Sequence, residues 1–225
     1  MLFIFLVLLL AFAVAAIITG AVRAFVLSRP TAVGASSLFD IPNHRSSHVS
    51  PTPRGGGVGI VLAFLLAAGW LTFTQAVPFL IMVGLVGSSL IVALVGFLDD
   101  WKTVLSARFR LAVHFLAAVM FLLCMGGIPA FVAFGAVVDL GWAGNVLGAM
   151  YLVWLVNLFN FMDGIDGIAS VEAITVSLSG ALLWWLTTGS DSWMMATVLA
   201  AAVPGFCAGT IPRQRSLWVM RVVAF

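Results

Sequence analysis

The sequence predicts an all-α fold, a polytopic membrane bundle of about seven transmembrane helices with its N-terminus outside. Three observations support this prediction. Hydrophobic residues make up 63% of the 225 residues, charged residues make up only 8%, and the mean hydropathy is +1.21. A water-soluble domain of this length is less apolar, so much of the surface must face lipid. In addition, the apolar residues form segments of membrane length, and the basic residues gather on one side of them.

Seven apolar segments approach the ~20 residues with which a helix crosses the hydrocarbon of a bilayer. They are residues 2–27, 58–73, 78–98, 111–124, 145–161, 168–188 and 193–206. No Lys or Arg precedes the first segment, and it is longer than the core of a signal peptide, so we predict a retained membrane helix. Residues 1–206 are predicted to form a single transmembrane domain.

The charged residues predict the orientation of the chain. All ten Lys and Arg residues fall within or beside connections on the same side of the predicted membrane. The opposite side carries Asp139 and Asp191 and no basic residue. The positive-inside rule makes the basic side cytoplasmic, which places the N-terminus outside. The basic residues form no stripe with interleaved aromatics, so we do not expect nucleic-acid binding.

A polar stretch, residues 157–169, follows the fifth apolar segment on the predicted cytoplasmic side. Asn157, Asn160 and Asp163 are three residues apart, a spacing that places them on one face of a helix. Two glycines then predict the end of that helix, beside a second carboxylate at Asp166. Such groups in a membrane segment usually handle a cation, a phosphate or a proton, although the amides could serve only as hydrogen bonds between helices.

Four carboxylates are expected to converge on this side of the membrane. Asp99 and Asp100 end the third segment, and Asp163 and Asp166 lie between the fifth and the sixth. Mg²⁺ binds a few carboxylates together with water and phosphate oxygens. A solvated turn and a helix cap would also account for each pair alone. Because the chain has only eight acidic residues, the convergence of four of them favours a metal–phosphate site.

Residues 51–57 read Pro-Thr-Pro-Arg-Gly-Gly-Gly and precede the second segment. Backbone N–H groups at the start of a helix suit an anion, and the Arg54 guanidinium can bind phosphate. A flexible hinge is an equally good explanation of the three glycines. A P-loop is excluded, because the Lys-Ser/Thr ending and the preceding strand are missing. Together with the carboxylates, these residues suit phosphoryl transfer between a soluble anionic donor and a lipid acceptor.

Three motifs resemble, in order and spacing, those of the polyprenyl-phosphate N-acetylhexosamine-1-phosphate transferases, also classed as glycosyltransferase family 4. They are Asp40-Ile-Pro-Asn-His-Arg-Ser-Ser-His48 with the Pro-Thr-Pro-Arg-Gly-Gly-Gly sequence, Asp99-Asp100, and Asn160-Phe-Met-Asp-Gly-Ile-Asp-Gly167. The resemblance covers about residues 39–203. The first motif is most similar to the branch that starts O-antigen lipid intermediates in Gram-negative bacteria.

This resemblance implies a reaction at the cytoplasmic face of the bacterial inner membrane. A UDP-activated N-acetyl sugar would donate its sugar 1-phosphate to undecaprenyl phosphate, and UMP would leave. Mg²⁺, or Mn²⁺ in its place, would be needed. The product would begin a lipid intermediate of a cell-surface polysaccharide such as lipopolysaccharide. The implied partners are the UDP-sugar, undecaprenyl phosphate and the lipid bilayer, and a homodimer is compatible with the resemblance.

The resemblance also implies roles for individual residues. Asp99, Asp100, Asp163 and Asp166 are the catalytic candidates: the first two would bind the metal or help to deprotonate the lipid phosphate. Asp163 would join the metal and diphosphate site, and Asn160 and Asp166 would contact the nucleotide. The other substrate-binding candidates are Asn157, the first-loop residues Asn43, Arg45, His48, Thr52, Arg54 and Gly55, and two bases that would attract anionic substrates, Arg108 and Arg110.

Residues 207–225 depart from the family pattern, where a motif resembling Met-Gly-Asp-x-Gly-Ser is expected. We predict that this tail is a frameshifted reading or the product of a disrupted gene. The chain would then lack a catalytic carboxylate and the last helices, and would have little activity alone. Translation of the other reading frames beyond Phe206 tests this prediction.

Two further functions stay open at this stage. One is an inactive remnant that binds lipid phosphate or a partner subunit, which binding without turnover would reveal. The other is a proton- or ion-coupled transporter, which electrogenic uptake without UMP release would reveal. Against the transporter, the acids lie at one face of the membrane, and no pair of broken helices repeats along the chain.

Overall fold

The computed structural model describes residues 2–28, 39–40, 52–53, 55–74, 76–102, 105–162, 167–188 and 191–210. These residues form the helices α1 (Leu2–Leu27), α2 (Val58–Phe73), α3 (Phe79–Lys102), α4 (Ala107–Met125), α5 (Gly141–Met162), α6 (Ile168–Thr188) and α7 (Trp193–Thr210). The strands are β1 (Phe39–Asp40), β2 (Thr52–Pro53), β3 (Phe131–Ala133) and β4 (Ala136–Val138). They pair antiparallel, β1 with β2 and β3 with β4. The predicted all-α class is confirmed.

Six of these helices, α1 and α3 to α7, are long and apolar enough to cross a membrane. Helix α2 is equally apolar but has only 16 residues. The bounds of α1, α2 and α6 agree with the predicted segments. Helix α3 continues beyond its predicted end to Lys102, and α7 continues to Thr210. Hydropathy identifies the apolar part of a helix, whereas its backbone hydrogen bonds can continue through polar residues.

The chain divides into two compact units. The first contains α1, β1, β2, the beginning of α2, most of α6 and α7. The second contains the end of α2, α3, α4, β3, β4 and α5. The single domain predicted for residues 1–206 stays a prediction.

Small residues bring α1, α2 and α7 together in the first unit. One alanine from each helix is buried in a common cluster: Ala15, Ala63 and Ala202. A Cβ atom on Gly205 would meet the carbonyl oxygen of Phe12, and one on Gly209 would lie 2.7 Å from that of Ala16. In lipid, where burial of apolar surface does not drive association, such close van der Waals contact is what holds helices together.

Thr19 joins α1 to the glycine turn before α2. Its side chain is buried, and its hydroxyl donates a hydrogen bond of 3.0 Å to the Gly56 carbonyl. A Cβ atom on Gly56 would lie 2.9 Å from the Phe206 ring. Gly55 has a φ of +88°, a conformation that favours glycine. These contacts give two of the three glycines a structural reason, and the anion-binding role of the turn stays a prediction.

We expect Thr19→Val to lower the free energy of unfolding by about 1 kcal/mol. Valine has nearly the shape of threonine, but it leaves the partly buried Gly56 carbonyl without this donor. Thr19→Ser keeps the hydroxyl and should be closer to the wild type. Thermal unfolding of the three proteins in the same detergent measures the difference. Equal stability of Thr19→Val and wild type would contradict the prediction.

In the second unit, α4 packs against both α3 and α5. Helix α4 begins after Ser106, whose side chain accepts a hydrogen bond from the backbone N–H of Phe109 at 3.3 Å. It ends at Gly126, which has a φ of +81°. Two residues later, the N–H of Ile128 donates to the Asn145 Oδ1 of α5 at 2.8 Å. Four side chains form a buried core between α4 and α5: Ala118, Leu122, Ala149 and Val153.

A hairpin of β3 and β4, which the sequence analysis did not predict, lies between α4 and α5. Phe131 pairs with Val138, and Ala133 pairs with Ala136. Phe134, at the turn, is fully exposed and has a φ of +52°. Residues 131–138 contain no polar side chain.

Candidate functional site

A cavity of about 690 Å³ lies in the second unit among α3, α4 and α5. Its polar lining residues are Ser88, Ser89, Asp99, Arg110, His114, Asn157 and Asn160. The rest of its lining is mainly apolar, and includes Leu85, Val92, Phe121 and Leu152. One cavity therefore combines hydrogen-bonding groups with a hydrocarbon surface.

Three helix ends build the polar end of this cavity. Asp99 lies in the last turn of α3, Arg110 in the first turn of α4, and Asn157 and Asn160 in the last two turns of α5. Both asparagines are exposed and line the cavity, which confirms that they share a helix face. The Asn157 amide donates to the Val153 carbonyl of its own helix at 2.7 Å.

The Asp99 side chain links the end of α3 to the beginning of α4 through two hydrogen bonds. Its Oδ1 accepts a hydrogen bond from the backbone N–H of Leu105 at 3.1 Å. Its Oδ2 accepts one from the Arg110 guanidinium, with which it forms an ion pair. Both side chains are partly exposed. The sequence predicted separate roles for these two residues, and the structure brings them into direct contact.

His114 and two serines also line the cavity, although they were not predicted from the sequence to belong to the site. His114 follows Arg110 by one helical turn and so lies on the same face of α4. Its Nδ1 is buried and has no hydrogen-bond partner among the residues that the structure describes. Ser88 and Ser89 interrupt the apolar sequence of α3. That interruption, and a histidine inside an apolar helix, were the signals available in the sequence.

A family model described as glycosyl transferase family 4 matches residues 82–209. The match covers more than half of the chain, and it includes α4, α5 and nearly all of α3. The chain belongs to glycosyl transferase family 4. It is thus a membrane-embedded protein of a transferase family. No curated protein matches the chain.

The match to glycosyl transferase family 4 extends a few residues beyond the predicted boundary at Phe206. Helix α7 likewise continues to Thr210. The atypical tail predicted for residues 207–225 falls largely outside the described residues, which end at residue 210. Its predicted origin by frameshift stays a prediction.

The described residues of this family 4 chain do not by themselves fit Mg²⁺. Among them, no three His, Cys, Asp or Glu side chains come together as a metal site. Asp99 is the one carboxylate described in the cavity lining, and both of its oxygens already accept hydrogen bonds from protein donors. Mg²⁺ prefers six oxygen ligands in octahedral geometry. The side chains of the predicted ligands Asp100 and Asp163 lie outside what the structure describes.

Several other predicted site residues also lie outside the described part of the chain: Asn43, Arg45, His48, Arg54 and Asp166. Thr52 is described only through its backbone, in β2. Arg108 is exposed in the first turn of α4 and is not among the lining residues of the cavity. The predicted break after α5 is confirmed, because α5 ends at Met162 and Gly167 has a φ of +83° before α6.

Proposed function

We propose that this chain transfers an N-acetyl sugar 1-phosphate from a UDP-sugar to undecaprenyl phosphate and releases UMP. The observation that carries the proposal is a cavity with a polar end and a mainly apolar remainder, in a chain of glycosyl transferase family 4. At the polar end, the Arg110 guanidinium can bind a phosphate group. The amides of Asn157 and Asn160 can donate and accept hydrogen bonds to a nucleotide or a sugar. The apolar lining suits a prenyl chain.

In the proposed reaction, an oxygen of the lipid phosphate forms a bond to the phosphorus that carries the sugar. The bond from that phosphorus to the oxygen of UMP breaks, and UMP leaves with this oxygen. Both reactants are anions, so catalysis requires cationic groups that reduce their repulsion and stabilise the charge that develops during transfer. We assign one such role to Arg110. Mg²⁺ or Mn²⁺ is also part of the proposal, with Asp100 and Asp163 as proposed ligands.

The proposed orientation places the polar end of the cavity on the cytoplasmic side of a bacterial inner membrane. All ten basic residues of the chain gather on that side. UDP-sugars are soluble anions of the cytoplasm, so the donor would reach the polar end directly from water. The branch that begins O-antigen and lipopolysaccharide synthesis, to which the first motif is most similar, is the proposed biological context.

The test is Mg²⁺-dependent release of UMP from UDP-N-acetylglucosamine and related UDP-sugars, with undecaprenyl phosphate as acceptor. Membranes containing the 225-residue chain would be compared with membranes lacking it. We expect release that requires both substrates and that EDTA abolishes. This outcome would also contradict the prediction that the atypical tail leaves the chain with little activity. An inserted, stable chain that releases no UMP with any donor would contradict the proposal.

A pair of variants of α5 makes this test specific to the cavity. Asn160→Asp should lower kcat/KM at least about tenfold, because it replaces a donor at the polar end with an anion. Asn145→Asp makes the same chemical change at the other end of the same helix, where an oxygen still accepts from the Ile128 N–H. That control should keep the activity of the wild type. Equal effects of the two variants would show that the cavity is not the site.

A further inference from the structure

We propose that Asp99 is a positioning residue and not a metal ligand. It fixes the connection between α3 and α4, and it holds the Arg110 guanidinium at the polar end of the cavity. Arg110 then meets the phosphate groups of the substrates. The identity of those substrates rests on the proposed function. That Asp99 does not bind the metal follows instead from the contacts of its own side chain.

Both carboxylate oxygens of Asp99 already have protein partners. Oδ1 accepts from the Leu105 N–H at 3.1 Å, and Oδ2 accepts from Arg110. These two bonds join the end of α3 to Leu105, which precedes α4, and to Arg110, which lies in the first turn of α4. Truncating this side chain would therefore release the connection and the guanidinium together.

The charge of Arg110 also disfavours a metal ion at Asp99. A divalent cation bound to Asp99 would share one carboxylate with the guanidinium of Arg110 and would lie within a few ångströms of it. Like charges at that distance repel, most strongly where water is scarce. The guanidinium of Arg110 is a cation, so its ion pair with Asp99 competes directly with a metal for the same oxygens.

Arg110 keeps N–H donors available for an anion while it is paired with Asp99. A guanidinium has five N–H donors in a rigid planar fork, and the bond to Asp99 uses Nη1. Arg110 remains partly exposed and lines the cavity. Fixing it in advance lowers the ordering cost of binding an anion there. Arg108 cannot replace it, because residues two apart on a helix do not share a face.

The experiment uses the full chain as wild type, Asp99→Asn, Arg110→Gln, the double variant and the control Arg23→Gln, which changes an arginine of α1 that does not line the cavity. We expect each of the first two variants to lower kcat/KM for undecaprenyl phosphate at least about tenfold. The double variant should be no worse than the more damaged single variant, because both changes remove the same pair. Mn²⁺ affinity, measured by electron paramagnetic resonance, should change less than about twofold in Asp99→Asn.

The opposite pattern overturns the proposal: Asp99→Asn weakens Mn²⁺ binding at least about tenfold while Arg110→Gln leaves it unchanged. Thermal unfolding of the same proteins tests the pairing of Asp99 with Arg110 and does not depend on enzymatic turnover. Non-additive shifts in Tm for Asp99→Asn and Arg110→Gln support the pair, and additive shifts overturn it. A wild-type chain that releases no UMP defeats the proposed function alone, since the Tm shifts still test the role of Asp99.

Discussion

Ala93→Phe is expected to raise the KM for undecaprenyl phosphate at least about tenfold while changing the KM for the UDP-sugar less than about twofold. Ala93 lies on α3 and lines the cavity. In the sequence of the helix it falls between the two serines and Asp99. A phenyl ring there would occupy space that we propose for the prenyl chain. Displacing two or three methylene groups costs about 2 kcal/mol, which corresponds to more than tenfold in affinity.

Leu94→Phe is the matched control for this prediction. Leu94 is the next residue of α3, but it is exposed and does not line the cavity. Its replacement introduces the same ring without filling the same space. Steady-state kinetics in detergent micelles with both substrates varied separates the two KM values. If Ala93→Phe and Leu94→Phe behave alike, the cavity does not hold the lipid acceptor.

Gly205→Ala is expected to lower the free energy of unfolding by about 1–3 kcal/mol. A Cβ atom at this position of α7 would meet the carbonyl oxygen of Phe12 in α1. That oxygen belongs to a helical backbone and cannot rotate away as a flexible side chain can, so the two helices must separate. Thermal unfolding in detergent, together with the amount of folded protein in membranes, measures the effect.

Gly180→Ala provides the comparison within the same unit. Gly180 lies in α6, and a Cβ atom there would have no atom within 4 Å among the described residues. Alanine favours a helix more than glycine does, so this variant should be neutral or slightly stabilising. A Gly205→Ala protein as stable as Gly180→Ala would show that α1 and α7 do not approach so closely.

Hydropathy predicted the helices well because the bilayer demands long, internally hydrogen-bonded apolar segments. The bounds of α1, α2 and α6 agree for this reason. The β3–β4 hairpin was missed because a short apolar run has no period that separates strand from helix or loop. The contact of Gly205 with Phe12 was missed because nothing local in either helix specifies which other helix it meets.

The candidate site was partly predictable. Asn157 and Asn160 follow from helical periodicity, and both line the cavity. The pair of Asp99 and Arg110 joins residues 11 apart across a connection between helices, so its formation depends on how that connection folds. The sequence predicted which residues belong to the polar end of the cavity, whereas only the structure shows which of them contact one another.

The hairpin between α4 and α5 bears on the position of the cavity, whose polar end lies at the opposite ends of the same two helices. Its tip around Phe134 is an exposed hydrocarbon surface, and moving such a surface from lipid into water is unfavourable. In a bilayer, we therefore expect the tip to oppose any displacement of α4 and α5 that carries it into the aqueous phase. Such an anchor would limit how far Arg110 and Asn160, at the other ends of these helices, can move along the membrane normal.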